Sequence, residues 1–378
     1  MSTFLLSCGG TGGHLSPGIA LAEGLVERGH RVILLISQKK VDSRLSEKYP
    51  HLEFRRIPGS GFGWNPLVFA RCVVTQTKGF LSSWNIVRQE KPDCILGFGG
   101  FTSAPVAVAG RLRGVPVAVH EANRVPGRAV RLVGRIARRV FLPPGVTLST
   151  ARPLAVRHAG LPVRKEFSRQ PAEQARVGLG LHPHGKVLAI LGGSQGASPL
   201  NDWVRRELSA LLAEGIQVYC ITGMGKDVPE TIEATSRNGA PVRAVFVPFS
   251  DRMAEVISAA DLVVSRAGAG TIAELTRCTT PAILVPFPQA ADDHQRANAA
   301  FFEQQGGGMV VEQAFIASLR AEVTDLIFND WLLTRFHSNL QRMDRANSLD
   351  MMLADLEELA EGRRPRKGKP LRQAQHAT

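Results

Sequence analysis

A short apolar segment, a glycine-rich turn and the start of a helix recur along this chain. That recurrence constrains its fold more than any other feature. TFLLSC at residues 3–8 runs into GGTGGHLSP at 9–17, and VLAIL at 187–191 runs into GGSQGASP at 192–199. In each case a serine and a proline follow the glycines. This predicts Ser16 and Ser198 as helix N-caps, with Pro17 and Pro199 at the first helical position. Leu21, Leu25 and Val26 then supply a buried stripe, Gly29 ends the helix, and RVILLIS reads as the next buried strand. Two further apolar strands end in glycine turns, in CILGFGGFTSAP (94–105) and LVVSRAGAGTIAEL (262–275). Units of this kind build parallel sheets covered by helices. The expected fold is α/β, with two Rossmann-like halves in tandem and a turn-rich junction near 150–165. Ligands of such folds bind in the crevice outside the carboxyl ends of the strands. A last helix is expected over 331–360. The segment 362–378 carries six basic residues, no acids and no apolar periodicity, and reads as a disordered basic tail.

The 378 residues suffice for two cores. The charge is uneven: residues 1–158 hold 22 Lys and Arg against 8 Asp and Glu, whereas residues 159–361 hold 18 against 25. A basic first half suits an anionic counterpart, whether nucleic acid, a membrane surface or a phosphorylated substrate; a solvated basic face is the alternative. No RRM, KH or helix-turn-helix signature accompanies the charge, and aromatics are only 6%, which argues against specific nucleic-acid binding. No apolar run approaches the length of a membrane span, and no secretory leader pattern precedes the first strand. The five cysteines form no CxxC pair, so zinc and disulfide scaffolds are not expected. No GxGxxG follows the first strand. GLHPHGKV (180–187) has P-loop glycine spacing, but Val187 replaces the magnesium-binding hydroxyl and the segment precedes a strand.

Glycines at a helix start let backbone N–H groups approach an anion closely. His14 stands two residues before the expected cap Ser16. The positive field of a helix start disfavours imidazolium, and a neutral imidazole is a good base for a hydroxyl. A histidine bonded only to its own loop is the alternative. Glu274 follows Thr271 by three, the spacing of a capping box; it is also the type of carboxylate that accepts a ribose diol. VPFPQAADDHQRANA (285–299) places Asp292, Asp293, His294, Gln295 and Asn298 at a proline-broken loop entering a helix 295–304. The amides offer donors and acceptors to sugar hydroxyls, while Asp292 or Asp293 could simply cap the helix. A single histidine without partner spacing argues against a metal. Within 66–84, Phe69, Phe80, Leu81 and Trp84 alternate with Arg71 and Lys78. They form either a core stripe or a patch that dips into a bilayer beside anionic headgroups.

Taken in order, GGTGGHLSPG, GFGGFTSAP, HEANRVPG (120–127), GLPVR (160–164), GGSQGAS, SRAGAGTIAE and the PF…DDHQ…NA block form a highly specific set. They resemble the lipid II-forming N-acetylglucosaminyltransferase family of peptidoglycan synthesis over nearly residues 3–360. The resemblance implies a GT-B fold with the active site between two Rossmann-like domains. The implied domains are 1–158 on the acceptor and membrane side and 159–339 on the donor side, with a helix at about 340–360 packing back on the first. The implied reaction is metal-independent, inverting transfer of GlcNAc from UDP-GlcNAc to the C4 hydroxyl of MurNAc in undecaprenyl-pyrophosphoryl-MurNAc-pentapeptide (lipid I). It needs no cofactor and takes place at the cytoplasmic face of the inner membrane. A related transferase acting on another lipid acceptor is the alternative.

Carried onto this sequence, the family pattern assigns donor contacts to Thr11, Gly12, Gly13 and Asn123. It assigns Arg164 and Ser194 to the diphosphate side, Gln195 to donor binding, Ser250 to the uracil, and Ala269, Gly270, Thr271 and Glu274 to the donor-cradling turn. His294, Gln295 and Asn298 fall at the sugar. Phe101 and Glu121 fall on the acceptor side, and His14 is the candidate base. The chain departs from the pattern at Ala122, where the family has glutamine, at Leu161, where it has asparagine, and at Gly270, where it has a large apolar residue.

Overall fold

The computed structural model describes residues 1–9, 12–38, 45–60, 65–193, 197–225, 228–344 and 349–362, with the side chains of 66–70 left aside. The first domain holds β1 (Thr3–Ser7), α1 (Gly12–Glu27), β2 (Arg31–Ile36), β3 (Glu53–Arg56), α2 (Pro66–Glu90), β4 (Cys94–Gly97), α3 (Gly100–Leu112), β5 (Val117–His120), α4 (Arg128–Val133), β6 (Arg139–Leu142) and β7 (Val156–His158). The second holds α5 (Ala172–Gly178), β8 (Lys186–Leu191), α6 (Ser198–Ala213), β9 (Ile216–Ile221), β10 (Glu230–Thr235), β11 (Pro241–Val247), α7 (Met253–Ala259), β12 (Leu262–Ser265), α8 (Ala269–Arg277), β13 (Ala282–Leu284), α9 (His294–Gln304), β14 (Gly308–Val310), α10 (Leu319–Ile327) and α11 (Asp330–Asp344). The final helix is α12 (Leu349–Glu361).

Each domain carries a seven-stranded sheet. The first is ordered β3-β2-β1-β4-β5-β6-β7 and is parallel throughout. The second is ordered β10-β11-β9-β8-β12-β13-β14 and is parallel except at its β10 edge. Helices cover both faces, so the central strands are buried on both sides and read as unbroken apolar runs such as Phe4-Leu5-Leu6. The order reverses between β1 and β4 in one sheet and between β8 and β12 in the other. The four glycine turns of the sequence follow these four strands. They therefore flank the two switch points, where an open parallel sheet leaves a crevice.

The chain does not form one helix over 331–360. α11 buries Leu333, Phe336 and Leu340 in the second domain, whereas α12 buries Met352, Leu353, Leu356 and Leu359 against the first. Two apolar stripes facing two different cores cannot share one straight helix. Leu353 packs so closely on α1 that a Cβ at Gly24 would lie 2.7 Å from it. Arg28 and His30 both reach Glu357 at 2.9 Å, and Arg139 meets Asp355 at 3.4 Å. Residues 363–378 of the expected tail lie outside the described residues.

Neither Ser16 nor Ser198 is an N-cap. α1 begins at Gly12 with Pro17 inside it, and α6 is capped by Ala197 with Ser198 as its first residue. α3 repeats the first arrangement: it begins at Gly100 and contains Pro105. A proline at the sixth helical position forfeits one bond, to the carbonyl four residues earlier. In α1 that carbonyl belongs to Gly13. In α3 it belongs to Phe101, and Gln76 of α2 replaces the missing donor at 3.1 Å while also donating to the Ser60 carbonyl at 3.0 Å. Replacing Gln76 by leucine is expected to remove a donor from both carbonyls and to cost about 1–3 kcal/mol. Urea unfolding, with amide exchange followed in α2 and α3, measures it.

Candidate active site

The first-domain wall of the crevice is built where α1 and α3 begin. His14 occupies the first turn of α1, not a loop ahead of it, and its ring lies against the first turn of α3. Gly99 and Gly100 are consecutive left-handed residues with φ of 82° and 69°. A Cβ on Gly100 would sit 2.9 Å from the Gly9 carbonyl and 3.2 Å from the imidazole, so only glycine admits this approach. Thr102 donates to that same Gly9 carbonyl at 2.8 Å and ties the two turns together. Phe101 lies in the same first turn with its ring over Gly59. Gly12 and Gly13 open α1, and Thr11 lies outside the described residues.

Past β5 the chain forms the HEAN loop. Glu121 is buried and spends both carboxylate oxygens on its own loop: one accepts the backbone and side-chain N–H of Asn123 at 2.8 and 3.0 Å, the other the N–H of Gly127 at 2.7 Å. Both oxygens thus brace the loop. Asn298 of α9 reaches across from the second domain. It accepts the Arg124 N–H at 2.9 Å and donates to Asn123 Oδ1 and the Ala267 carbonyl, both at 3.1 Å. Two of these bonds join the domains, and the third anchors the side chain within its own. Burial lowers the pKa of His120, behind this loop, to about 4 and keeps it neutral.

The second-domain wall centres on α8, which packs against α1. Ala269, Gly270 and Thr271 form its first turn behind the N-cap Gly268. Thr271 is therefore the third helical residue and Glu274 the sixth, so the capping box does not form. Glu274 instead faces Arg164 at 3.5 Å, with the carboxylate 15% and the guanidinium 8% exposed. Burial raises Glu274 to about 7, against the pull of Arg164, while the nearby Glu166 raises it further. Arg164 also pairs with Glu166 at 3.0 Å, and its Nε is buried without a protein partner. Ser250 lies in the loop before α7, where its Oγ accepts the Arg252 N–H at 3.1 Å. Ser194 and Gln195 lie outside the described residues.

Beside this wall, the loop entering α9 holds Asp292 and Asp293 in left-handed conformations, φ 51° and 54°. Asp293 occupies the N-cap position without a side-chain cap bond, so neither aspartate caps the helix as the sequence suggests. The loop is pinned otherwise: His294 Nδ1 donates to the Ala291 carbonyl at 2.7 Å, and Gln295 accepts the Phe287 N–H at 3.0 Å. Among the described residues no group of three or more His, Cys, Asp and Glu converges on a common point.

The departures from the family pattern fall in two places. Ala122 and Leu161 line a cavity of about 460 Å³ between the domains, together with Ile272, Phe301 and Met343. Ile272, Ala273 and Thr276 form the cavity-facing side of α8, away from Glu274. A Cβ on Gly270 would meet nothing within 4 Å, so the larger side chain of the pattern has open space there.

The 66–84 stretch is helical, and only part of its expected patch is exposed. Leu81, Arg71 and Lys78 face solvent, whereas Phe80 and Trp84 are half-buried against the core, because they share the inward face of α2. Val73 and Val74, which sequence reasoning overlooked, are exposed beside Leu81. The side chain of Phe69 lies outside the described set.

Comparison with known proteins accounts for this geometry. Residues 4–142 match the glycosyltransferase family 28 N-terminal domain and residues 187–348 its C-terminal domain. A relative from Opitutus terrae is 63% identical over 95% of both chains; it is described as a UDP-N-acetylglucosamine–N-acetylmuramyl-(pentapeptide) pyrophosphoryl-undecaprenol N-acetylglucosamine transferase. The chain belongs to this glycosyltransferase family. A relative from Parasynechococcus marenigrum with the same description is 38% identical over 83% of this chain and 84% of its own. The fold is GT-B, shared with Acinetobacter baumannii MurG (TM-score 0.69, 24% identity, 94% of this chain and 99% of that one). A kitacinnamycin glycosyltransferase shares it at TM-score 0.70 and 16% identity, over 95% and 99%.

Glu274 provides a test of the electrostatics of this wall. Its folded pKa lies above its unfolded value, so its contribution to stability is complete below about pH 4.5 and is lost as pH rises through 7. Against Glu274→Gln, the wild type is expected to lose up to about 3 kcal/mol between pH 5 and 8. Denaturant titrations of both proteins across that range measure the difference.

Proposed function

We infer that the chain transfers GlcNAc from UDP-GlcNAc to the C4 hydroxyl of MurNAc in lipid I, forming lipid II for peptidoglycan synthesis. The 63% identical relative, matched over 95% of both chains, carries this reading. The site chemistry agrees with it. The first turn of α8 and Arg164 present positive groups to the donor diphosphate, and Glu274 is within reach of a ribose diol in the same crevice. In the absence of a metal, such groups stabilise the charge that develops on the leaving diphosphate. On the opposite wall His14 takes the proton of the attacking hydroxyl, and a single in-line displacement inverts the anomeric centre. The glycines at 99 and 100 let backbone amides approach the acceptor pyrophosphate. Transfer to a short-chain lipid I analogue is expected to persist in EDTA. His14→Ala is expected to lower turnover about 100-fold, with UDP-GlcNAc affinity within about threefold of wild type. A strict metal requirement, or near-normal turnover of His14→Ala, overturns the corresponding assignment.

The acceptor is a membrane lipid, and no described helix is long and apolar enough to cross a bilayer. We propose peripheral contact through the outer face of α2, where Val73, Val74 and Leu81 are exposed beside Arg71 and Lys78. Apolar insertion next to basic residues suits an anionic surface. Sedimentation with vesicles containing anionic lipid is expected to fall at least fivefold in the Val74→Asp, Leu81→Asp double variant, with UDP-GlcNAc binding unchanged.

A further inference from the structure

We propose that Tyr49 is a positioning residue: its hydroxyl, supplied by the first domain, holds Arg164 in the orientation that grips the donor diphosphate. This rests on the donor-site reading above, in which Arg164 faces the diphosphate.

The geometry is specific. Tyr49 lies just after the short helical turn that follows β2, and its ring is buried in the first-domain core with Leu15, Leu52 and Leu353. Its hydroxyl projects out of that core into the interdomain contact. There it accepts from Arg164 Nη1 at 3.0 Å and donates to Glu166 Oε2 at 2.8 Å. Both functions of the hydroxyl are used, and burial holds the phenol protonated by raising its pKa. The guanidinium carbon lies 4.9 Å from the centre of the Phe167 ring, so Arg164 is confined on that side as well. With Nη1 committed to Tyr49 and Glu166, the buried Nε has no protein partner, and Nη2 faces Glu274 at the long distance of 3.5 Å. Those are the two donors left for an incoming diphosphate. A buried guanidinium donor without a partner is costly, which a bound anion would relieve.

The neighbouring residue strengthens the assignment. Lys48 donates to the Asp251 carbonyl at 2.9 Å and meets Glu166 at 3.3 Å. Residues 48 and 49 of the acceptor domain thus touch both the diphosphate-side arginine and the loop next to Ser250. Separating the domains withdraws the Tyr49 hydroxyl from Arg164. Donor grip therefore depends on the approach of the acceptor domain, although Tyr49 itself contacts neither substrate.

The test is calorimetric titration of the full-length protein with UDP-GlcNAc, without acceptor, for wild type, Tyr49→Phe, Arg164→Lys and the double variant. Tyr49→Phe keeps the ring and its packing and removes only the hydroxyl. It is expected to bind UDP-GlcNAc about tenfold more weakly. KM for a lipid I analogue at saturating donor should be unchanged, even though the residue belongs to the acceptor domain. In the Arg164→Lys background the same substitution should change donor affinity less than twofold, because a lysine lacks the planar fork that Tyr49 orients. Donor affinity of Tyr49→Phe within twofold of wild type overturns the proposal. So does an equal loss in the Arg164→Lys background, or a rise in acceptor KM that matches the loss of donor affinity, which marks general loosening. Wild-type protein that fails to bind UDP-GlcNAc overturns the donor-site reading as well; wild-type binding with an unaffected Tyr49→Phe overturns this proposal alone.

Discussion

Two topological switch points facing each other across one crevice are the constraint on which the rest of this molecule depends. At each, neighbouring central strands send their helices to opposite faces of the sheet, and the turns between strand and helix open toward the same gap. The N–H groups of a helix's first turn have no partner within the helix. Three first turns, those of α1, α3 and α8, line the gap. The tight approach of the first two is possible because Gly99 and Gly100 adopt left-handed conformations and carry no Cβ. The positive ends of these helices make the crevice a place for anionic groups even where side-chain charge is sparse.

Apart from Arg164 Nε, the polar side chains described at the crevice pair with one another. Arg164 is held by Glu274, Glu166 and Tyr49, and Asn298 closes on Asn123 and the Arg124 backbone. Such pairing limits the cost of gathering these groups away from water while keeping donors aligned. It also links the two walls. Asn298 and Asn123 belong to different domains, as do Arg164 and Tyr49. The second chain crossing reinforces this coupling, because α12 is built into the core of the first domain while α11 belongs to the second.

Much of this architecture is legible in the residues. The buried strands appear as apolar runs and the four glycine turns mark both switch points, since parallel strands covered on both faces leave little choice of composition. The local rules failed where tertiary contacts supplied what a local motif usually supplies. Ser16-Pro17 has the form of a helix start, yet the helix begins at Gly12 with Pro17 in its second turn. Thr271 and Glu274 have capping-box spacing, yet Gly268 caps the helix and the glutamate turns to an arginine 110 positions earlier in the chain. The 331–360 periodicity continues through a change of core, because amphipathic spacing records that a face is buried but not against what.

The central strands, their parallel pairing and the anion-seeking turns could be read from the residues alone. Each of these follows from side-chain size, backbone freedom and periodicity over a few neighbouring residues. Only the tertiary structure decided that Tyr49 meets Arg164, that Glu121 serves its own loop, and that Asn298 bridges the domains. Those assignments depend on which polar atoms are brought within hydrogen-bonding distance once water is removed. That is a property of positions far apart in the chain, and no local pattern encodes it.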